Sequence, residues 1–119
     1  MSLHHELCHV LGGAFGLPHA ETHTVILPHA VAYNATGAPI AIGRVARALG
    51  ADHAAQALFD LAATNGAPTS LREIGMSESD LDEAAAEAAV RSPYWNPRPV
   101  ERNAIRKLLD DAYNGRRPS

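Results

Sequence analysis

Residues 4–29 have the sequence HHELCHVLGGAFGLPHAETHTVILPH and contain six of the seven histidines of the chain. At about 100° per residue, the first apolar residues fall on one side of a helix, the spacing of a buried stripe. They are Leu3, Leu7, Val10, Leu11 and Ala14. His5 and His9 fall on the opposite side, one turn apart, close enough to share a ligand. The pattern predicts a helix that buries its leucines and turns two imidazoles towards a site.

A second helix is predicted after the break at GAFGLP. Pro18 suits a first helical position, and the residues that follow are apolar nearly all round, which indicates a central, buried helix. His19 and His23 repeat the spacing of one turn. Pro28 is expected to bend this helix or to end its first half, because proline cannot donate the helical hydrogen bond.

The first histidine pair also matches a protease motif. His5-Glu6-Leu7-Cys8-His9 is HExxH, in which the glutamate between two zinc ligands acts as a general base. In one large class of these enzymes a third ligand follows about six residues after the second histidine. Here His19 follows His9 by ten residues. A zinc protease is therefore one alternative, and a set of capped or solvent-facing rings with no common function is another.

Composition favours a single helical domain spanning residues 1–119. The 119 residues are rich in alanine and leucine and only 5% aromatic, which predicts an all-α fold of six or seven helices. A net charge of −3 gives no indication of nucleic-acid binding. One cysteine excludes an internal disulfide, and neither a membrane span nor a signal peptide is evident. We expect a soluble cytoplasmic protein.

Turn and capping residues predict where the later helices lie. A third helix is expected from Pro39 to a stop at Gly50, and a fourth from an Asp52 cap to Gly66. The apolar face of the fourth helix is predicted to contain Ala54, Leu58, Leu61 and Ala62.

Two serines and the last run of apolar residues predict the remaining helices. Ser70 and Glu73 make a capping box for a short helix, and Ser77 caps another that reaches residue 92. The last helix, residues 100–115, is expected to pack through Ile105, Leu108, Leu109 and Tyr113. Residues 116–119 are expected to fray.

The order of these motifs resembles the C-terminal helical domain of the iron-containing (group III) alcohol dehydrogenase family, and within it the maleylacetate reductase branch. The motifs that carry the resemblance are His5-Glu-Leu-Cys-His9-Val-Leu-Gly12-Gly13, Leu17-Pro18-His19-Ala20-Glu21-Thr22-His23, Leu27-Pro28-His29-Ala-Val-Ala-Tyr33-Asn34, Leu71-Arg-Glu-Ile-Gly75 and Asn96-Pro-Arg-Pro-Val100. The resemblance covers essentially the whole chain.

The resemblance implies roles for four of the histidines. His5 and His19 match two metal-binding histidines, and His9 matches a third histidine that lies near the substrate. His23 stands where the wider family commonly has asparagine, and a histidine there is similar to the maleylacetate reductase branch and its dicarboxylate substrate. His29 belongs to a shared LPH pattern and is interpreted as structural. The metal, iron or zinc, would have an incomplete site, because the family's other ligands precede this part of the sequence.

Members of the family place a nucleotide-binding α/β domain before the helical one, and this chain has no Gly-rich pyrophosphate loop. Three functions follow as hypotheses. The chain is the helical part of an NAD(P)H-dependent, maleylacetate reductase-like oxidoreductase of aromatic-compound degradation, which needs a nucleotide-binding partner. In the second hypothesis, the chain is a stand-alone domain with cofactor-independent lyase or isomerase chemistry. In the third, it is a non-catalytic binding or assembly module.

The absence of that domain also predicts the behaviour of the chain alone. An apolar patch is expected beside the histidines, and such patches seldom stay exposed. We therefore expect either a symmetric homodimer or a complex with a nucleotide-binding chain. We also expect that the chain alone neither binds NADH nor reduces maleylacetate.

Overall fold

A computed structural model describes residues 2–90, 96 and 98–118 of the chain. This part contains six α-helices, one short 3₁₀ helix and no strand, which confirms the all-α prediction. The helices are α1 (Ser2–Phe15), α2 (His19–Asn34), α3 (Pro39–Ala48), α4 (Ala54–Thr64), α5 (Leu81–Val90) and α6 (Arg102–Asn114), with the 3₁₀ helix at Glu78–Asp80. None of the described helices is long and apolar enough to cross a membrane.

Helix α2 is central, as predicted from its composition. It packs against α1, α3, α4 and α6, and most of its second half is buried. Pro28 lies within a continuous helix, so of the two alternatives expected for it, an end of the first half is ruled out and a bend stays a prediction. Pro18 is the N-cap and His19 the first helical residue, one position later than predicted.

Two apolar clusters hold the helices together. The larger cluster joins α1, α2, α5 and α6, and includes the fully buried Leu7, Ile26 and Leu109. The smaller cluster lies where α2 meets α3 and α4, and its buried members are mostly alanines. Because small side chains remove little apolar area from water, the second cluster is the weaker of the two.

Several sequence predictions about α4 and its surroundings are wrong. His53, not Asp52, is the N-cap of α4, and Leu61 is 54% exposed. Ser70 and Glu73 do form the predicted reciprocal pair, because each backbone amide donates to the other residue's side chain at 3.3 Å. The residues after Ser70 nevertheless form successive turns and no helix. The helix predicted from Ser77 to residue 92 is split into the 3₁₀ helix and α5, and residues 91–92 lie outside the described part.

The C-terminal segment packs against the rest of the chain up to Pro118, so the prediction that it frays is wrong for these residues. Arg117 donates two hydrogen bonds to the carboxylate of Asp60, at 2.9 and 2.8 Å, and Pro118 is buried. The turn into this segment begins at Gly115, whose φ is +68°. A Cβ at residue 115 would lie 3.2 Å from the Cβ of Ser70, so both conformation and space favour glycine.

Candidate metal and substrate site

The turn between α1 and α2 places the histidines of both helices together. Gly16 has a φ of +66°, and the next amide, that of Leu17, donates to the carbonyl of Leu11 at 3.2 Å. The chain then returns along α1, so that His23 of α2 reaches His4 near the start of α1. The fully buried Leu7 and Leu11 hold the opposite side of α1 in the core.

Both predicted histidine pairs form. The ring centroids of His5 and His9 are 4.4 Å apart, and those of His19 and His23 are 4.2 Å apart. His5, His9 and His19 are exposed, whereas His23 is half-buried. The spacing of one turn therefore gives two adjacent imidazoles on each helix, available to a ligand from outside the chain.

His23 connects the two pairs electrostatically. The pKa of His23 is lowered, and burial is the largest cause. The charges of His19, His5 and His9 lower this pKa further. All three rings therefore lie within electrostatic range of His23, as expected for one common cluster. A lowered pKa keeps the His23 imidazole neutral at pH 7, and the neutral ring is the form that accepts a proton or binds a metal.

Sequence reasoning missed His4 as a member of the cluster. Its ring lies edge-on to that of His23 with centroids 4.9 Å apart, and its Nε2–H donates to the His23 carbonyl oxygen at 3.2 Å. Burial lowers the pKa of His4, and the hydrogen bond to the His23 carbonyl partly opposes this. The available signal was the spacing of His4 and Cys8, which are also four residues apart.

His29 lies away from this cluster and is buried, with 4% of its surface exposed. Among the described residues its Nε2 has no hydrogen-bond partner. Burial lowers its pKa to about 4, and the carboxylate of Asp111 acts in the opposite direction. His29 lines a cavity of about 270 Å³ together with Tyr33, Arg98 and Lys107.

The donors of the cluster fit a divalent metal. Imidazole nitrogen is a common ligand of iron and zinc, and His5 and His19 are both exposed at the junction of α1 and α2. Two imidazoles supply half of the four ligands of a typical tetrahedral site. The remaining ligands would have to come from outside these two helices. Direct pairing of His5 with His19 stays a prediction.

Fold and site together define the class of protein. The chain belongs to the Fe-containing alcohol dehydrogenase family, whose C-terminal region it matches over residues 1–113. It is 60% identical to the maleylacetate reductase of Burkholderia cepacia, over all of this chain and 34% of that protein. It therefore corresponds to the C-terminal part of maleylacetate reductase-like enzymes of this family, and spans about a third of the length of the relatives it matches.

Two solved structures give the same result. The maleylacetate reductase of Agrobacterium tumefaciens superposes with a TM-score of 0.93 at 52% identity, over 99% of this chain and 33% of that one. The maleylacetate reductase of Rhizobium sp. strain MTP-10005 has a TM-score of 0.93 at 50% identity, with the same coverage. The six-helix arrangement is thus the arrangement of this region in longer enzymes.

Proposed function

We propose that the chain supplies the metal- and substrate-facing part of an NAD(P)H-dependent reductase of the maleylacetate reductase type. A nucleotide-binding part from the same or another chain would complete it. The observation that carries this proposal is the cluster of imidazoles at the junction of α1 and α2, in which His23 lies within electrostatic range of His5, His9 and His19. Membership of the family supports this function over the protease suggested by the HExxH motif.

In this proposal His5 and His19 hold a divalent metal, iron or zinc, through neutral ring nitrogens. A bound divalent metal would polarise an oxygen of the substrate. His9 is exposed on the same side of α1 as His5, and its ring N–H is available to a substrate carboxylate. We propose a small dicarboxylate of the maleylacetate type as the substrate, by analogy with the named relatives.

His23 is the proposed proton carrier. Reduction adds a hydride, which the nicotinamide supplies, and one proton, which a nearby group must supply. His23 is suited to relay this proton because its neutral ring can take one from solvent and release it again. Its position half-buried between the two helices limits how far the ring can move, so the proton is delivered to one place.

A complementation assay tests this function. The 119-residue chain is combined with a separately produced N-terminal part of the Burkholderia cepacia relative, and NADH oxidation is followed with maleylacetate. Activity is expected only when both parts are present. His5→Ala and His19→Ala should each lower kcat/KM by at least about tenfold, because each removes a ligand. His53→Ala, at an exposed residue on another part of the surface, is the matched control and should retain activity.

The other outcomes decide between functions. Binding of NADH by the chain alone, measured by calorimetry, would contradict the proposed division between the two parts. Turnover of a substrate by the chain alone without nicotinamide would favour the cofactor-independent acid–base alternative. If the combined parts are folded and associated but inactive, the chain is better explained as a binding or assembly module.

We further propose that the chain alone self-associates as a symmetric dimer. We predicted an exposed apolar patch beside the histidines, but the exposed apolar residues lie elsewhere. The large exposed apolar residues of the described chain lie on α3, at its C-cap and on α4: Ile40 (72%), Val45 (39%), Leu49 (40%) and Leu61 (54%). Burying such side chains against a second copy would stabilise a dimer.

Sedimentation at increasing protein concentration checks this association. Ile40→Asp should shift the chain towards monomer, because a carboxylate cannot be buried in an apolar contact without a large cost. Ala63→Asp introduces the same charge at an exposed residue of α4 and serves as the control. A wild-type chain that stays monomeric at every concentration would refute the proposal.

A further inference from the structure

Three metal-binding side chains converge between α1 and α2 at a place that does not involve His5 or His19. One donor atom each from His4, Cys8 and His23 lies within 4.8 Å of the other two. His4 and Cys8 are four residues apart on α1 and project towards α2, where His23 is the third residue of the group. Nitrogen and sulfur ligands of a tetrahedral zinc site lie about 3.3–3.6 Å from one another, so side-chain rotations that move the donor atoms by about 1 Å would bring the three to bonding distance.

The surroundings favour a built site over a chance cluster. Cys8 is 6% exposed, and His4 and His23 are both half-buried. The hydrogen bond from His4 Nε2 to the His23 carbonyl holds the His4 ring against α2. Because Leu7 anchors α1 and Ile26 anchors α2 in the core, the backbones that carry the three ligands are fixed before any ion arrives.

The donor set selects the kind of ion. A thiolate with two imidazoles suits zinc and other borderline or soft cations, whereas magnesium and calcium prefer oxygen ligands. Three protein ligands leave a fourth position for water. Coordination would replace the S–H bond of Cys8 with a sulfur–metal bond and release the proton to solvent, without any change of oxidation state.

We propose that His4, Cys8 and His23 form a second metal site, selective for a thiophilic divalent cation such as Zn²⁺ and separate from the pair His5 and His19. The two sites share no ligand. Because a cation at His23 would take up the ring nitrogen that the proposed proton relay needs, that relay operates only while the second site holds no ion. The second site is formed entirely by α1 and α2, so it needs no other domain and can be tested on this chain alone.

Cobalt is the probe, because a cobalt–thiolate bond gives a charge-transfer absorption that imidazole alone does not give. Reduced, metal-free chain is titrated with Co²⁺, and Zn²⁺ is then added in competition. Wild type is expected to develop the thiolate band at one equivalent and to lose it on addition of Zn²⁺. His4→Gln and His23→Gln should each weaken Co²⁺ binding at least about tenfold, and Cys8→Ala should abolish the band.

Matched controls separate the two sites. His5→Gln, next to His4, and His19→Gln, one turn before His23, should keep the band and the affinity of wild type. Circular dichroism verifies that each variant is folded. Zn²⁺ should raise Tm in wild type and His5→Gln but much less in Cys8→Ala, in agreement with binding to the native state. The proposal is overturned if folded wild type gives no thiolate band, or if His5→Gln and His19→Gln lose it as His4→Gln does.

Discussion

Replacing Leu109 by alanine is expected to lower the free energy of unfolding by about 3–4 kcal/mol. Leu109 is fully buried on α6, in the cluster that also contains residues of α1, α2 and α5. Truncation removes the transfer free energy of the side chain and leaves a cavity that the surrounding helices fill only in part, which in cores costs about 3–5 kcal/mol. Urea unfolding followed by circular dichroism measures the loss.

Leu61→Ala is the matched control for this experiment. It makes the same chemical change on α4, where the side chain is 54% exposed in the folded chain. Surface substitutions of this kind change the free energy of unfolding by about 0.5 kcal/mol or less. Equal losses for the two variants would show that α6 does not pack as described. A dimer contact through Leu61 would appear as a concentration-dependent loss, so both variants are measured at several concentrations.

Acidification from pH 6.5 to pH 4 is expected to cost about 3 kcal/mol of stability through His29 alone. The pKa of this ring is lowered from 6.5 to about 4 by burial. Between these two values the unfolded chain binds a proton that the folded chain does not, so stability falls as pH falls. Above pH 6.5 the ring is neutral in both states and contributes no pH dependence.

His29→Gln should therefore reduce the slope of unfolding free energy against pH in this interval. Glutamine keeps a polar group beside the cavity and does not titrate. His53→Gln, at an exposed residue, is the control for the loss of any histidine. His4 and His23 also have lowered pKa values, so some acid dependence should remain in the variant. An unchanged slope would mean that His29 is protonated as readily in the folded chain as in the unfolded one.

Helical periodicity predicted α1 well because one side of that helix is core over most of its length. Leu3, Leu7, Val10 and Leu11 are fully buried, while Ala14 near the end of the helix is exposed. The same reasoning failed for Leu61 because only Ala54 and Ala55 of α4 are buried, and Leu61 lines a cavity of about 260 Å³ opposite Leu27 and Pro28 of α2. A pattern of apolar residues reveals the face of a helix, but not how far along it the covering partner extends.

The site was predictable where it depends on local spacing. Both imidazole pairs, His5 with His9 and His19 with His23, follow from positions four residues apart. The contact of His4 with His23 depends on how α2 returns along α1, which no spacing within one helix determines. The roles assigned to the four histidines come from resemblance to the family and stay predictions.

The burial of Cys8 gives this protein an internal reporter of motion. It is the only cysteine of the chain, and burial raises its pKa to about 12, so a thiol reagent meets almost no thiolate in the closed structure. Alkylation then requires that α1 separate from its neighbours for a moment. The labelling rate of the metal-free chain therefore measures how often α1 opens, without any introduced probe.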